Sequence, residues 1–400
     1  MQKAPRNVAT AQSAHTGRLS PEQLTVLLVA PQDPNATGGQ ARFGFLLAES
    51  LRDSPQIDLK TITVPEQDRV GQRTLRSLAV MRGIRRKAKS HRGLVVHIFS
   101  PCNRVGLLEK LVWAWVARVS GGRSILNLRN ALDVFADTWS RLERSLWRAL
   151  LSSNDLILCQ YQGLADALVD KQILRPTTST AVVPNGILNL SEPRGCSVPA
   201  CDEFTLLFLG SVCTRKGVDR LLEAASILDG RNDLSVAWTL VLAGPLYVRR
   251  GESDPRAMVD ELGLGHRIRL VGPVRGQAKA ELLQRADVLL LPSRAEGFPN
   301  SVLEAMASGL PVIVSDVGAM PEMVRDSGGG VVVPNGDPSG IAEAVSRMMY
   351  DRDYRRRLGE SGRKRVATSY RLDMVVDLFV NVYRRVAGDP TIVNQADGRT

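Results

Sequence analysis

Several features are scarce or missing in this sequence of 400 residues. The five cysteines include no pair in the Cys-x-x-Cys spacing, and an odd count without zinc-site spacing predicts reduced thiols. We expect Cys159 and Cys213 to pack as small apolar side chains. No apolar run approaches the roughly 18 residues of a membrane span. The first twenty residues also lack the apolar core of a signal peptide. These absences predict a cytoplasmic protein without a spanning helix.

Acidic side chains are scarce in the first half only. Residues 1–187 carry 25 Lys and Arg but 14 Asp and Glu, whereas residues 188–400 carry 27 of each class. The basic half should prefer an acidic partner: an anionic membrane surface, a phosphorylated acceptor or nucleic acid. A solvated basic face without a partner is the alternative.

Short runs rich in Leu and β-branched residues alternate with helical patterns along the whole chain. Such near-continuous apolar runs indicate parallel strands covered on both faces. Two successive series predict an α/β protein with two doubly wound, Rossmann-like domains that face a central cleft. The predicted strands are 25–30, 94–99, 123–128, 155–159 and 180–183 in the first series, and 204–209, 238–243, 267–271, 287–291, 311–315 and 330–333 in the second.

The tripeptide Pro184-Asn185-Gly186 has strong turn chemistry and directly follows a predicted strand. We therefore place the domain boundary there, with an N-terminal domain over 21–187 and a C-terminal domain over 188–370. Residues 1–20 and 388–400 are predicted to be disordered tails.

The segment 291–311, Leu-Pro-Ser-Arg-Ala-Glu-Gly-Phe-Pro-Asn-Ser-Val-Leu-Glu-Ala-Met-Ala-Ser-Gly-Leu-Pro, carries the strongest chemical signal. A strand ends at Leu291, and Asn300 or Ser301 is predicted to cap a helix that runs to Ser308. The bare amides near Ser301 form an anion site suited to a diphosphate. Gly297 lets the backbone approach a ligand closely.

Two carboxylates flank this helix start. Glu304, one turn into the helix, can accept hydrogen bonds from vicinal hydroxyls such as those of a ribose. Glu296, in the preceding loop, can do the same for a sugar ring. The alternative is that Glu304 only complements the helix N-terminus.

This segment resembles the Glu-x7-Glu signature of retaining GT-B glycosyltransferases, in particular glycosyltransferase family 4. The resemblance extends over the neighbouring segments 315–322 and 330–337. It implies that Glu296 contacts the donor sugar and Glu304 the ribose, with the backbone of Phe298, Pro299 and Asn300 at the sugar and phosphates.

The segment 204–217 places a glycine turn and two cations after a strand. The resemblance implies that Gly210 belongs to the donor site and that Lys216, with Arg215, neutralises the donor diphosphate. The family usually has an arginine directly after that glycine, where this chain has Ser211. A solvated cation pair is the alternative, although cations at a helix start oppose its dipole.

Two weaker segments complete the donor site that the resemblance implies. Residues 268–274 resemble the strand and loop that read the nucleotide base through backbone groups, which points to Gly272 and Val274. In the N-terminal half, Gly38 and Gly39 follow the first strand, where the family places a glycine pair at the cleft. Packing alone, or an ordinary turn, would explain either segment.

Arg129 stands where the family often has a histidine close to the reacting sugar. It is a candidate for contact with a phosphate or an acidic acceptor, and the change can also mark an altered or lost activity. His97 lies inside an apolar strand and is predicted to be a core histidine with its hydrogen bonds satisfied.

The stretch from Arg73 to Arg92 holds eight Lys or Arg side chains and no acid, and Trp113 and Trp115 follow it. Basic clusters with interfacial aromatics fit an anionic membrane surface, and a solvated helix with core tryptophans is the alternative. In family members with lipid-linked acceptors the N-terminal domain faces the membrane. No motif indicates nucleic-acid binding.

The sequence thus predicts a retaining glycosyltransferase that moves a sugar from a nucleotide-sugar donor to a hydroxyl acceptor. The acceptor is expected to be a lipid-linked sugar or a polysaccharide of envelope or exopolysaccharide assembly. No cofactor or metal is expected. The resemblance also implies a final helix over 371–387 that packs on the N-terminal domain. The alternatives are a GT-B epimerase or hydrolase, and a non-catalytic sugar-nucleotide-binding subunit.

Overall fold

The computed structural model describes residues 23–34, 39–65, 70–100, 104–129, 137, 139–188 and 203–389. These residues form two parallel sheets of six strands, each with helices packed against it. The predicted tail 1–20 lies outside the described residues, as does nearly all of 388–400. The prediction of two doubly wound α/β domains is confirmed.

The N-terminal sheet has the strand order β2-β1-β3-β4-β5-β6, with every neighbouring pair parallel. Its interior strands are buried because they carry almost only apolar side chains. Its elements are β1 Leu24–Ala30, α1 Gly39–Arg52, β2 Ile57–Thr63, α2 Val70–Ser90, β3 Val95–Ser100, α3 Arg104–Val119, β4 Arg123–Leu128, α4 Arg141–Leu151, β5 Leu156–Cys159, α5 Gln162–Asp170 and β6 Thr180–Val182.

The C-terminal sheet has the order β12-β11-β10-β7-β8-β9. Its strand order reverses at β7 and β10, and in such sheets ligands bind beyond the strand ends at this switch point. Its elements are β7 Glu203–Leu209, a single 3-10 turn Thr214–Lys216, α6 Val218–Asp229, β8 Ala237–Ala243, α7 Pro255–Glu261, a second 3-10 turn Leu264–His266, β9 Ile268–Gly272, α8 Gly276–Arg285, β10 Val288–Leu291, α9 Asn300–Ala307, β11 Val312–Ser315, α10 Met320–Arg325, β12 Gly330–Val333, α11 Pro338–Tyr350, α12 Arg352–Ser369 and α13 Leu372–Ala387.

The chain crosses between the two domains twice, and the two crossings lie side by side. Ile187 and Arg371 form a parallel bridge, in which the Ile187 N–H donates to the Tyr370 carbonyl at 2.9 Å. Gly186 packs tightly there, since an added Cβ would lie 2.8 Å from the Cα of Leu372. Helix α13 then packs on α1, β1 and β3 of the N-terminal sheet.

The core of the N-terminal half contains a buried chain of polar side chains. His97 is fully buried; its Nδ1 lies 2.8 Å from the hydroxyl of Tyr383 and its Nε2 lies 2.9 Å from the Asn127 amide nitrogen. Burial, with a smaller contribution from the charge of Arg129, lowers the pKa of His97 to about 3. The expectation of a satisfied core histidine is confirmed. Cys159 and Cys213 are buried among apolar side chains, as predicted.

Candidate functional site

Helix α9 begins at the carboxyl edge of the C-terminal sheet, beyond β10. Its N-cap is Pro299, which makes no side-chain cap bond, and its C-cap is Ser308. The expectation that Asn300 or Ser301 caps the helix is therefore wrong, because the helix begins one residue earlier and Asn300 is its first residue. The first-turn amides have no intrahelical partner, and the helix dipole adds positive potential there. This end of the helix can accept an anion.

Glu296 is held in place just before this helix. Its Oε1 forms an ion pair with the Lys216 ammonium group and accepts from the Ser293 hydroxyl at 2.8 Å. The Glu296 residue is 8% exposed, so its charge is compensated where water is largely excluded. Gly217, at φ 72°, lies against the Pro292 carbonyl with no room for a Cβ, which brings the 3-10 turn with Lys216 to the loop.

The loop after β11 supports the loop that carries Glu296. Gly318, at φ 60°, lies against the carbonyl oxygens of Glu296 and Gly297, where a Cβ would overlap both. The Ala319 N–H donates to the Gly297 carbonyl at 2.8 Å. A movement of one loop must therefore move the other.

Glu304 forms an ion pair with Lys279 of α8, with 2.7 Å between Oε1 and Nζ. Both side chains are about one fifth exposed, so a ligand can still reach them. Lys279 was not among the residues that the sequence indicated, because nothing in the sequence of α8 marks it as facing α9. The two conspicuous carboxylates, Glu296 and Glu304, thus each have a lysine partner.

Arg215 and Lys216 point to different surroundings despite being adjacent. Lys216 contacts Glu296, whereas Arg215 is exposed and its guanidinium donates to the Ala295 carbonyl at 3.4 Å. Arg215 therefore lies on the outer side of the loop in this arrangement. Its predicted contact with a diphosphate stays a prediction.

The strand ends around Gly210 and Gly272 are joined through Gly244. Gly244, at φ 151°, lies so close to the Gly210 carbonyl that a Cβ would overlap it. The Gly244 N–H donates to the Gly272 carbonyl at 2.8 Å, and Val274 follows half-buried. The three strands β7, β8 and β9 thus present their carboxyl ends together, which is where a nucleotide would lie in a doubly wound sheet.

The N-terminal half meets this site at the start of α1. Gly39 is the first residue of α1, and a Cβ on it would lie 3.0 Å from the side-chain nitrogen of Asn300. Gly38 lies outside the described residues. The starts of α1 and α9 therefore come together from the two halves of the chain.

Asn185 joins the two halves directly. Its Nδ2 donates to the Phe298 carbonyl at 3.2 Å and to the Asn300 side-chain oxygen at 2.7 Å. Its Oδ1 accepts from the Arg129 guanidinium. The Pro184-Asn185-Gly186 turn was predicted as a boundary, but the sequence did not indicate that its asparagine would bind the start of α9.

Among the described residues, Arg129 is connected to the start of α9 through Asn185. The arginine is 4% exposed, and its guanidinium lies 4.0 Å from the ring centre of Phe43 and 4.9 Å from that of Phe99. Burial lowers the pKa of Arg129 to about 9. The geometry gives this residue a positioning contact, and a direct contact with substrate stays a prediction.

Two further observations bear on cofactors and membranes. Within the part of the chain that the structure describes, no three His, Cys, Asp or Glu side chains are grouped so that they could hold a metal ion. Among the same residues, no helix combines the length and apolar content needed to cross a bilayer.

Residues 197–365 match the family described as "Glycosyl transferases group 1". An uncharacterized glycosyltransferase of Methanocaldococcus jannaschii, MJ1607, is 33% identical over 183 residues, which are 46% of this chain and 45% of that protein. The D-inositol 3-phosphate glycosyltransferase of Saccharomonospora viridis is 28% identical over 292 residues, 70% of this chain and 67% of that protein.

The fold has solved counterparts. The structure of Anabaena HepE in complex with UDP-glucose superposes with a TM-score of 0.70 at 16% identity, covering 91% of this chain and 100% of that one. The alignment with the M. jannaschii protein spans less than half of that relative. Residues 197–365 are thus similar to the group 1 glycosyltransferases, and the chain shares the two-domain GT-B fold of its solved counterparts.

Proposed function

We propose that the chain transfers a sugar from a nucleotide-sugar donor to a hydroxyl acceptor, with retention of the anomeric configuration. One observation carries the proposal: Glu296 and Glu304, each paired with a lysine, flank a helix start whose first-turn amides have no partner within the helix. That helix start faces the start of α1 across the gap between the domains. A diphosphate sugar has matching groups, an anion between two hydroxyl-rich rings.

Each part of this arrangement has a role in the proposal. The first-turn amides of α9 bind the diphosphate, and the helix dipole stabilises its charge. Glu296 accepts hydrogen bonds from hydroxyls of the transferred sugar, and Glu304 from those of the ribose. Lys216 leaves or shares its contact with Glu296 to neutralise the departing diphosphate, where charge develops as the glycosidic bond breaks.

The donor can be identified by ligand-induced stabilisation. HepE was solved with UDP-glucose, so UDP-sugars are the first members of a panel that also includes GDP-, ADP- and dTDP-sugars. A donor present at one hundred times its Kd should stabilise the folded chain by about 2.7 kcal/mol and raise its Tm. If no nucleotide or nucleotide sugar raises the Tm, the proposed donor site is wrong.

Two other activities are compatible with the same site, and the departures at Arg129 and Ser211 favour testing them. An epimerase or hydrolase would convert the donor without any acceptor. A non-catalytic subunit would bind the donor and leave it unchanged with every acceptor pool, membrane extracts included. A transferase requires acceptor for turnover, and NMR of its product should show the anomeric configuration of the donor.

We further propose that the N-terminal half lies on an anionic membrane, on its cytoplasmic face, where it meets a lipid-linked acceptor. The support comes from α3, whose exposed residues at alternating spacings of three and four form one stripe. Trp115 is 63% exposed on this stripe, whereas Trp113 is 1% exposed and donates to Ser77 of α2. We call the stripe the apolar ridge; it consists of Val105, Leu108, Val112, Trp115 and Val119.

The neighbouring helix α2 supplies positive charge beside the apolar ridge. Its exposed cations form no ion pair with any described residue: Arg82, Arg85, Arg86 and Lys89. An exposed apolar stripe next to unpaired cations fits the surface of an anionic bilayer. A second copy of the chain would bring the two sets of cations together, which disfavours self-association through this face.

Vesicle sedimentation tests the membrane proposal. Binding should be strong to vesicles with anionic lipid, weak to neutral vesicles, and reduced by salt because exposed charges are screened. Equal binding to neutral and anionic vesicles would overturn the proposal. A polysaccharide acceptor in solution would then be the better candidate.

A further inference from the structure

The carboxylate of Glu322 ties the two halves of the molecule together away from the residues discussed so far. Glu322 lies in α10, and its Oε2 accepts from the backbone N–H of Gln162 at 3.0 Å. Its Oε1 accepts from the backbone N–H of Gly163 at 2.5 Å. These amides open α5 of the N-terminal half, whose N-cap, Tyr161, makes no side-chain cap bond. A helix of one domain is therefore capped by a side chain of the other.

Gly163 makes this contact possible. A Cβ at this position would lie 2.9 Å from Oε1 of Glu322. Any larger residue would push the carboxylate away from the helix start. The glycine is not required by the backbone, because its φ is not in the left-handed region. Because Gly163 has no side chain, the carboxylate of Glu322 can approach the start of α5.

Glu322 is coupled to the loop that carries Glu296 and Gly297, which we call the donor loop. Helix α10 begins directly after Gly318 and Ala319, which contact the backbone of Glu296 and Gly297. A shift of the donor loop therefore shifts α10, and with it the carboxylate of Glu322. The start of α5 in turn follows β5, next to Gln160, whose side-chain amide lies 2.8 Å from that of Asn185.

We propose that Glu322 is a positioning residue that latches the cleft shut over the donor. In the closed arrangement its charge lies at a helix N-terminus and accepts two backbone hydrogen bonds, which a carboxylate strengthens. Opening the cleft gives up both bonds to water. The part of the proposal that concerns the donor rests on the proposed function, whereas the contact between the domains does not.

The latch affects the donor through the closed population. A ligand that binds only the closed form has an apparent Kd equal to its intrinsic Kd divided by the closed fraction. Removing the latch lowers that fraction, so the donor affinity falls and the donor KM rises. The opening of the cleft is therefore the direct effect, and the loss of donor affinity follows from it.

The central experiment is small-angle X-ray scattering of the full chain without ligand, for the wild type and Glu322→Ala. The variant should show a larger radius of gyration and a longer maximum dimension. Its donor affinity by calorimetry should fall on the order of tenfold, because a smaller fraction of molecules is closed. Scattering and donor affinity both equal to those of the wild type would overturn the latch.

Two matched variants separate a latch from a general helix cap. Asp351 caps α12 inside the C-terminal half by accepting from the Tyr354 N–H at 2.7 Å. Asp351→Ala should lower the Tm, as losing a cap does, and leave the scattering curve unchanged. An expanded curve for Asp351→Ala would mean that lost stability alone opens the cleft, against the proposal.

Gly163→Ala should show the opposite of Asp351→Ala, an expanded molecule without a loss of stability. Alanine favours a helix over glycine, so α5 itself should gain stability, while the added Cβ displaces the Glu322 carboxylate. An expanded scattering curve at an unchanged or raised Tm supports the latch even if Glu322→Ala folds poorly. A wild-type curve for Gly163→Ala at a raised Tm overturns it. Expansion in a chain that binds no nucleotide sugar would uphold the latch and reject the proposed function.

Discussion

The two halves of this molecule share a fold but differ in how their charges are arranged. In the C-terminal half, acids and bases are equal in number after residue 187, and the site carboxylates are paired with lysines from neighbouring elements. In the N-terminal half, Lys and Arg outnumber Asp and Glu. The buried Arg129 contacts the side-chain amide of Asn185 and the ring of Phe43, and not a carboxylate, among the contacts described. The proposed donor site in the C-terminal half is thus held in place by its own ion pairs.

In the proposed function, the two halves bind different partners. A nucleotide sugar offers the same diphosphate and ribose whatever sugar it carries. In the proposal, the lysine-paired carboxylates and the first-turn amides of α9 are therefore sufficient to bind it. The N-terminal half instead offers an apolar ridge with unpaired cations, which suits an extended anionic surface. The following experiments test this contrast, beginning with the largest expected effect.

Lys216→Met should cause the largest loss. Removing a cation that stabilises the leaving group typically costs on the order of 10²–10³-fold in kcat. Lys364→Met, an exposed lysine on α12, is the control and should retain wild-type turnover. The measurement is kcat with the donor found by thermal shift. A Lys216→Met enzyme with wild-type kcat would mean that the C-terminal half does not carry the chemistry.

Glu304→Ala should weaken donor binding by about 1–3 kcal/mol, the cost of leaving polar partners unpaired. Its Lys279 partner loses its counterion as well. Glu281→Ala on α8 is the matched control, because that carboxylate is exposed and contacts only Gln277 among the hydrogen bonds described. Calorimetry that gives both variants the wild-type affinity would contradict the role of Glu304.

The N-terminal core should respond to acid through His97. Its folded-state pKa of about 3 lies below the ordinary value of 6.5, so the unfolded chain binds one more proton between these values. Stability is complete above about pH 6.5 and falls toward pH 3 by at most about 1.4 kcal/mol per unit. His97→Gln should show a shallower pH dependence of the unfolding free energy in urea titrations.

The control for this prediction is His266→Gln, since His266 is exposed in the C-terminal half. That variant keeps His97, so the fall in stability toward pH 3 that His97 causes should remain. An identical slope for His97→Gln and the wild type would show that the buried histidine does not couple folding to protons.

Trp115→Ser should have the smallest effect, a loss of vesicle binding on the order of tenfold or less. Fully burying a large apolar side chain is worth roughly 1.5–3 kcal/mol, and insertion into a bilayer surface buries only part of it. Leu262→Ser, exposed in the C-terminal half, is the control and should bind vesicles as the wild type does. Equal binding by both variants would remove the apolar ridge from the membrane proposal.

Most of the strands could be predicted from the sequence, but β2 could not. Interior strands such as β3 and β10 are near-continuous apolar runs, because helices cover both of their faces. The strand β2 lies at the sheet edge, where it is mostly half-buried and carries Asp58 and Lys60. Its alternating pattern did not satisfy the criterion for a buried strand.

The candidate site was predictable only where one segment carries it. Glu296 and Glu304 lie within a single loop and helix, so their spacing could be read from the sequence. Asn185, Lys279 and Glu322 act on distant elements, and their partners are set by packing. The helix start was misplaced because Asn300 is a good N-cap residue, although its side chain bonds to Asn185 instead.

The adjacent crossings at Ile187 and Arg371 have a mechanical consequence. Because the two covalent connections lie side by side there, we expect the domains to hinge about this point and not to slide past each other. Gly186 lies at this hinge beneath Leu372, and a bulkier residue there would act as a wedge. A substitution at Gly186 is therefore expected to change the angle between the two halves.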